Sequence, residues 1–355
     1  MAQGTRAPEG FPPGRLWPAA MRGFVHLADR AVLRVAGEGS SKFLQGLCTQ
    51  DLGVLTARRA APAAFLSPKG RVLCDSILIA RGQNEFLIDC HTGVSKSLLR
   101  LLLRHRLREP LAIEDVSTSH AAVALLPGEE AVPSEGPLAE FFPDPRFATL
   151  GHRAVLEPGA ADLLCEAGPD LGAYHRWRVC CAVPEGPADL PVDTILPLHG
   201  NLDLLNFISF TKGCYVGQEL TTRTKHRGAV RRRFFSAIAA AEDPEDFLAN
   251  LQLPPHLPLP LASLEAASAP SLPGPEAAED ERAVAAQRQG AEEEDRVGML
   301  HSSAGSVGLC LLKCSGAFNE ADKFREAPLP AGTRLTTSSG SVRVAIRPPP
   351  YAFAA

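Results

Sequence analysis

The sequence predicts an α+β protein of two or three packed units, ending in a small β-barrel. Three observations carry this. The chain has 355 residues, more than one hydrophobic core usually serves. Between Val25 and Leu107, short apolar alternations separated by turn residues interleave with leucine-rich helical patterns. From Arg296 onward, after a long polar interruption, short alternating runs return.

Before Gly23 the chain carries Arg6, Arg15 and Arg22 against one acid, Glu9. That is the charge sign of an organellar transit segment, although Pro8, Pro12, Pro13 and Pro18 oppose an amphipathic helix. Residues 1–22 are therefore a leader, read either as a transit segment or as a disordered start. Strands are expected at Val32–Val35, Ala63–Leu66, Val72–Ile79 and Phe86–Ile88. Ser67-Pro68-Lys69-Gly70 presets a tight turn, so the second and third should form a hairpin. Ser40 or Ser41 can cap a helix carrying Phe43, Leu44 and Leu47, and Val94–Leu107 repeats leucine at helical spacing.

Another helix, Tyr174–Val183, should end at Pro184-Glu185-Gly186-Pro187, and Arg233–Ile238 reads as a strand. From Glu242 to Asp295 the composition turns proline-rich and then acidic, with Phe247 the only aromatic. This predicts a disordered insertion whose removal leaves the melting midpoint nearly unchanged. The expected organisation is a leader at 1–22, a two-subdomain region at 23–230, and a barrel from 231–241 and 296–355 interrupted by 242–295.

Composition excludes several classes. With 45% apolar and 21% charged residues, the chain is neither fibrous nor wholly disordered. A net charge of −4 gives no global attraction to nucleic acid or anionic membrane. No apolar run reaches the eighteen residues of a membrane span. Nine cysteines with no C-x-x-C pair read as reduced thiols.

The densest motif is Thr211-Lys212-Gly213-Cys214-Tyr215-Val216-Gly217-Gln218-Glu219. Gly213 and Gly217 allow sharp bends that would present the Cys214 sulfur, and Lys212 and Arg223 would favour its thiolate, the form that binds iron or acts as nucleophile. The alternative is a cysteine packed behind a glycine turn as a small hydrophobe. The cations from Lys212 to Arg233 could also form a nucleic-acid patch, with Tyr215, Phe234 and Phe235 stacking bases, but a solvated basic face is the commoner arrangement. No phosphate-binding glycine fingerprint is present.

Phe43-Leu44-Gln45-Gly46 with Thr49-x-Asp51, Phe65-Leu66-Ser67-Pro68-Lys69-Gly70-Arg71, Pro197-Leu198-x-x-Asn201 and Lys212-Gly213-Cys214-Tyr215-x-Gly217-Gln218-Glu219 together resemble the YgfZ-related iron-sulfur cluster assembly proteins. That group belongs to the superfamily of the glycine-cleavage T protein, a folate-dependent aminomethyltransferase. The resemblance spans residues 23–240 and resumes weakly over 296–313. It implies a ring of three subdomains around an opening for tetrahydrofolate, with Cys214 exposed at the edge. It also implies a place in the mitochondrial matrix, or in a plastid, and a role beside A-type carrier proteins that build [4Fe-4S] clusters.

Cys214 would then lend one thiolate to a [2Fe-2S] or [4Fe-4S] cluster, a partner supplying the remaining ligands because one cysteine cannot hold a cluster alone. Cys310 and Cys314, four apart in a strand, read as core or surface residues. As folate-binding candidates the resemblance gives Asn201, His199, Trp177 and Lys212. Asn201 can donate and accept at a pterin edge, while His199 and Trp177 could equally be structural. The rival reading is a folate-dependent one-carbon transferase. There a catalytic aspartate is expected at the position of Ser97, whose hydroxyl cannot supply the charge. Nearby Asp89 reads as a cap or turn residue. A scaffold that binds a carrier without ligating the cluster is a third possibility.

Overall fold

The computed structural model describes residues 23–127, 136–166, 168, 170–239, 271–274, 276–277, 282–286, 295–313, 333–337, 340–347 and 349–353. The 1–22 leader, much of the 242–295 insertion and Cys314 lie outside the described residues. Two antiparallel sheets form the N-terminal part. The four-stranded sheet joins β1 (Phe24–His26), β7 (Ala121–Leu125), β9 (His152–Leu156) and β8 (Phe142–Pro143) in that order. The five-stranded sheet has the order β3 (Ala60–Leu66), β4 (Val72–Ala80), β5 (Glu85–His91), β2 (Arg30–Ala36) and β6 (Ala112–Asp115).

β3 and β4 form the expected hairpin. Gly70 at φ +73° donates its N–H to Ser67 O at 2.8 Å, closing the turn. α1 (Ser40–Gln45) starts at Gly39 with no side-chain cap, so neither serine serves as the cap expected of it. α2 (Thr92–Arg106) turns Val94, Leu98 and Leu102, spaced by four, onto Leu33 and Ile88 of the five-stranded sheet. α3 (Pro158–Cys165), α4 (Leu171–Cys180), α5 (Gly186–Asp189) and α6 (Gln218–Arg227) follow.

The C-terminal strands pair in the order β10 (Arg232–Ala239), β13 (Val307–Lys313), β12 (Asp295–Ala304), β11 (Ala283–Ala286), β14 (Thr333–Thr337) and β15 (Gly340–Arg347), and β15 pairs back onto β10. The apolar faces of β10, β12 and β13 join Trp177 and Tyr174 of α4 in the largest core. β11 corrects the expectation for 242–295, because it lies inside that range and pairs on both edges. Leu272 is also buried there and donates its N–H to Gly305 O at 2.9 Å, while Arg282 donates to the carbonyls of Leu300 and His301, both at 2.7 Å. Composition averaged over fifty residues hides a four-residue strand, since what stabilises Ala283–Ala286 is its ladder partners and not its own propensity.

Candidate functional site

Three of the four motif segments converge. Thr49 after α1 donates its hydroxyl to Phe207 O at 2.6 Å and accepts from Ala64 N at 2.9 Å, tying residues 43–51 both to β3 and to the approach of the cysteine loop. Ser209 N donates to Thr49 O at 3.0 Å and Val216 N to Gly46 O at 3.2 Å. Between these two points Lys212 is buried, its Nζ donating to the carbonyls of Gln45 (2.7 Å), Cys48 (2.8 Å) and Gln50 (2.7 Å). The same ammonium lies 5.1 Å from the centroid of the buried Tyr215 ring.

Cys214 stands exposed between these two inward-facing neighbours. Lys212 and Tyr215 face inward, the two residues between them, Gly213 and Cys214, are exposed, and the hydrogen bonds on both sides hold the loop in that arrangement. Seven other described cysteines are free: Cys165 is partly covered, and Cys48, Cys74, Cys90, Cys180, Cys181 and Cys310 are buried. The expectation for Lys212 needs correcting. Its three donors are committed to backbone carbonyls and its electrostatic neighbours are Cys48 and Asp51, so it anchors the loop from beneath and offers no donor to a folate. Burial lowers its pKa, partly offset by those two neighbours.

The two glycines differ. Gly217 has φ +80°, and a Cβ there would lie 2.4 Å from Ser67 O and 2.8 Å from Leu66 Cβ, so only glycine lets the loop close on the β3–β4 turn and enter α6. Gly213 is not among the described glycines with positive φ, and its Cβ direction is open. One of the two expected bends is therefore made.

The fourth segment goes elsewhere. Asn201, wholly buried at φ +57°, donates Nδ2 to Phe234 O and Tyr351 Oη, both at 2.9 Å, and accepts from Phe234 N at 3.2 Å. Its amide thus clamps the loop to β10 and leaves no donor for a pterin edge. Trp177 is buried in the main core and donates Nε1 to Thr149 O at 3.1 Å. His199 is half-buried. Burial, then Arg232, Arg233 and Arg71, push its pKa down to about 4. Three of the four residues named for tetrahydrofolate therefore do not fit that cofactor: Asn201, Trp177 and Lys212 have their donors engaged within the protein. Tyr215, Phe234 and Phe235, named as base-stacking candidates, are all buried.

Ser97 lies exposed on α2, accepting from Arg100 Nη2 at 3.3 Å. Asp89 is neither cap nor turn. It sits wholly buried in β5, with Arg30 Nε on one carboxylate oxygen at 2.6 Å and Arg153 Nε on the other at 2.7 Å. Around it lies an ion network that sequence reasoning missed. Tyr174 donates to Glu185 at 2.8 Å, Arg146 pairs with Asp144 at 2.7 Å and also with Glu185, and Arg178 meets Asp189 at 2.6 Å. Burial alone would raise the Glu185 pKa, but the guanidiniums of Arg30, Arg146, Arg153 and Arg178 outweigh it and hold the carboxyl well below the usual range. The available signal was a lone charge inside an apolar strand, as in Ser76-flanking Asp75, Asp89 and Arg153, which demands a buried partner.

Among the described residues no group of three or more His, Cys, Asp or Glu side chains could hold a metal ion. No described helix is long and apolar enough to cross a membrane.

No protein-family model matches the chain. It is 36% identical over 256 residues to the mitochondrial iron-sulfur cluster assembly factor IBA57 of Homo sapiens, covering 66% of this chain and 70% of that protein. The same factor of Mus musculus is 36% identical over 230 residues, covering 59% of this chain and 64% of that protein, a little under two thirds of its length. Among solved structures, the glycine cleavage system aminomethyltransferase T of Bartonella henselae superposes with a TM-score of 0.63 over 94% of this chain and 86% of that chain. At 13% identity this likeness shows the fold alone. With over a third of residues shared across more than two thirds of the human protein, this chain belongs to the family of the IBA57 iron-sulfur cluster assembly factors.

Proposed function

We propose that this protein acts in iron-sulfur cluster assembly in the mitochondrion, with Cys214 lending a thiolate to a cluster it shares with an A-type carrier protein during maturation of [4Fe-4S] proteins. The relatives' names support the process and the compartment. The observation that carries the residue assignment is the exposure of Cys214 between the buried anchors Lys212 and Tyr215. Thiolate sulfur is a soft ligand suited to iron-sulfur chemistry, and a site with one such ligand needs a second protein to complete the set. The cluster is cargo here.

The three sheets are read as the three subdomains of the T-protein type, with residues 23–230 carrying the first two and the C-terminal six strands as the small barrel. The proposal includes no folate-dependent step, because three of the four side chains named for that cofactor, Asn201, Trp177 and Lys212, have their donors engaged within the protein. Reconstitution with an A-type carrier, iron and sulfide tests the reading. The heterocomplex should develop a visible chromophore that Cys214→Ser abolishes, and undiminished absorbance in the variant would reduce Cys214 to a structural residue.

A further inference from the structure

The cysteine loop opens onto a one-sided distribution of charge. From residue 212 to 233 the chain carries Lys212, Arg223, Lys225, Arg227, Arg231, Arg232 and Arg233 against a single acid, Glu219, although the whole protein has net charge −4. Three of these cations are engaged within the protein: Lys212 holds the loop, Arg233, buried, pairs with Asp203 at 2.5 Å, and Lys225 lies 5.3 Å from the centroid of the Phe210 ring. Arg223 and Arg227, four apart, are exposed on one face of α6, and Arg231 and Arg232 are exposed where β10 begins. The β3–β4 turn adds exposed Lys69 and half-exposed Arg71, because Gly70 packs that turn onto α6, where its Cβ would lie 2.9 Å from Leu220 Cβ. Among the described residues no ion pair engages Lys69, Arg71, Arg223, Arg227, Arg231 or Arg232. Exposed Asp193 and Glu219 border the patch. His199, whose pKa is lowered first by burial and then by Arg232, Arg233 and Arg71, lies within reach of the same cations.

We infer that this rim is an electrostatic docking face for a carboxylate-rich surface of the protein that supplies the remaining cluster thiolates. The inference rests on the proposed role of Cys214 and names the chemistry of its partner. Unpaired like charges held together on an acidic protein repel one another, and an opposing acidic surface relieves that repulsion and speeds encounter. A thiolate-ligated cluster is itself anionic, so cations on α6 and on the β3–β4 turn, the elements that the Cys214 loop joins and packs against, favour its assembly there. Nucleic acid is the weaker match, since Tyr215, Phe234 and Phe235 are all buried and none can stack a base.

The test uses the full chain and an A-type carrier without iron or sulfide, with association measured at 50 mM and 300 mM salt, concentrations spanning about a 2.5-fold change in screening length. Wild type should weaken with salt, and Arg223→Glu with Arg227→Glu should weaken association at least about tenfold at 50 mM with an unchanged melting midpoint. If that variant melts early, Arg231→Gln with Arg232→Gln gives the same reading. Salt-independent association, or wild-type affinity in both variants, overturns the docking face. So does tighter binding of a 20-nucleotide single-stranded RNA than of the carrier at equal salt. Loss of the chromophore in Cys214→Ser would still uphold ligation in those cases, whereas a retained chromophore with salt-dependent association would remove Cys214 from the cluster and leave the docking face standing.

Discussion

Gly70 and Gly217 lock together: a Cβ on Gly70 would lie 3.0 Å from Gly217 O, and one on Gly217 would lie 3.2 Å from Gly70 Cα. Two motifs nearly 150 residues apart in the chain thus meet backbone to backbone, each at positive φ. Gly217→Ala should cost about 2–4 kcal/mol, combining left-handed strain with overpacking against Ser67 O. Gly213→Ala, in open space, should stay within about 0.5 kcal/mol of wild type. Urea midpoints measure both, and equal midpoints for the two variants would contradict the geometry.

Lys212→Met leaves the carbonyls of Gln45, Cys48 and Gln50 without their shared donor. A loss of about 2–3 kcal/mol is expected, the range for a buried polar group stripped of its partner. Thiol labelling of the native protein supplies a second readout. Cys214 should label before Cys165, whose pKa is pushed up to about 11 by burial and then Asp162. In Lys212→Met the loop loosens, and the buried Cys48, whose carbonyl Lys212 holds, should become reactive.

Glu185→Gln should destabilise the fold by about 3–5 kcal/mol at pH 7, since it removes the charge on which Arg146 and Arg153 converge. The pH dependence has a defined sign. The folded-state pKa of Glu185 lies well below its ordinary value, so its contribution is complete above the unfolded pKa of roughly 4.3 and is lost as pH falls through the folded one. The gap between wild type and variant should therefore be constant from neutral pH to about 5 and shrink in more acid solution. Asp75 in the same network has the opposite sign, because burial raises its pKa despite Arg30. Comparing wild type with the single variant separates the two. A gap that does not change between pH 7 and 3 would contradict the assignment.

Deleting residues 271–294 removes β11 and leaves β12 and β14 without their shared neighbour. The melting midpoint should fall by more than about 5 °C, equivalent to a few kcal/mol in a protein of this size. A midpoint within a degree of wild type would mean that β11 contributes nothing to closure.

Much of the fold was legible because alternation at period two and leucines at spacing four record burial directly. β4, β10 and α2 begin and end within two residues of their sequence-derived limits. The exposure of Cys214 was legible through Gly217, whose positive φ the motif anticipates. Lys212 and Asn201 were not. An amine or an amide looks the same in sequence whether it meets a ligand or three carbonyls, and only the packing of distant segments decides which. The ion network was hidden for the same reason: Asp89 finds Arg153 across 64 residues of chain. β11 was hidden because four small residues in an acidic stretch carry too little pattern of their own.

Asp89 has a consequence for any attempt to dissect the molecule. It belongs to the five-stranded sheet, yet one of its oxygens is held by an arginine of the four-stranded one. A fragment cut between β7 and β9 would leave Asp89 with Arg30 as its one remaining partner and take from Arg153 the carboxylate that its Nε holds, an unmet bond in each piece that costs more the more fully the piece closes. Neither half is thus an autonomous building block, and the N-terminal two thirds must be inherited, expressed and engineered as one indivisible piece.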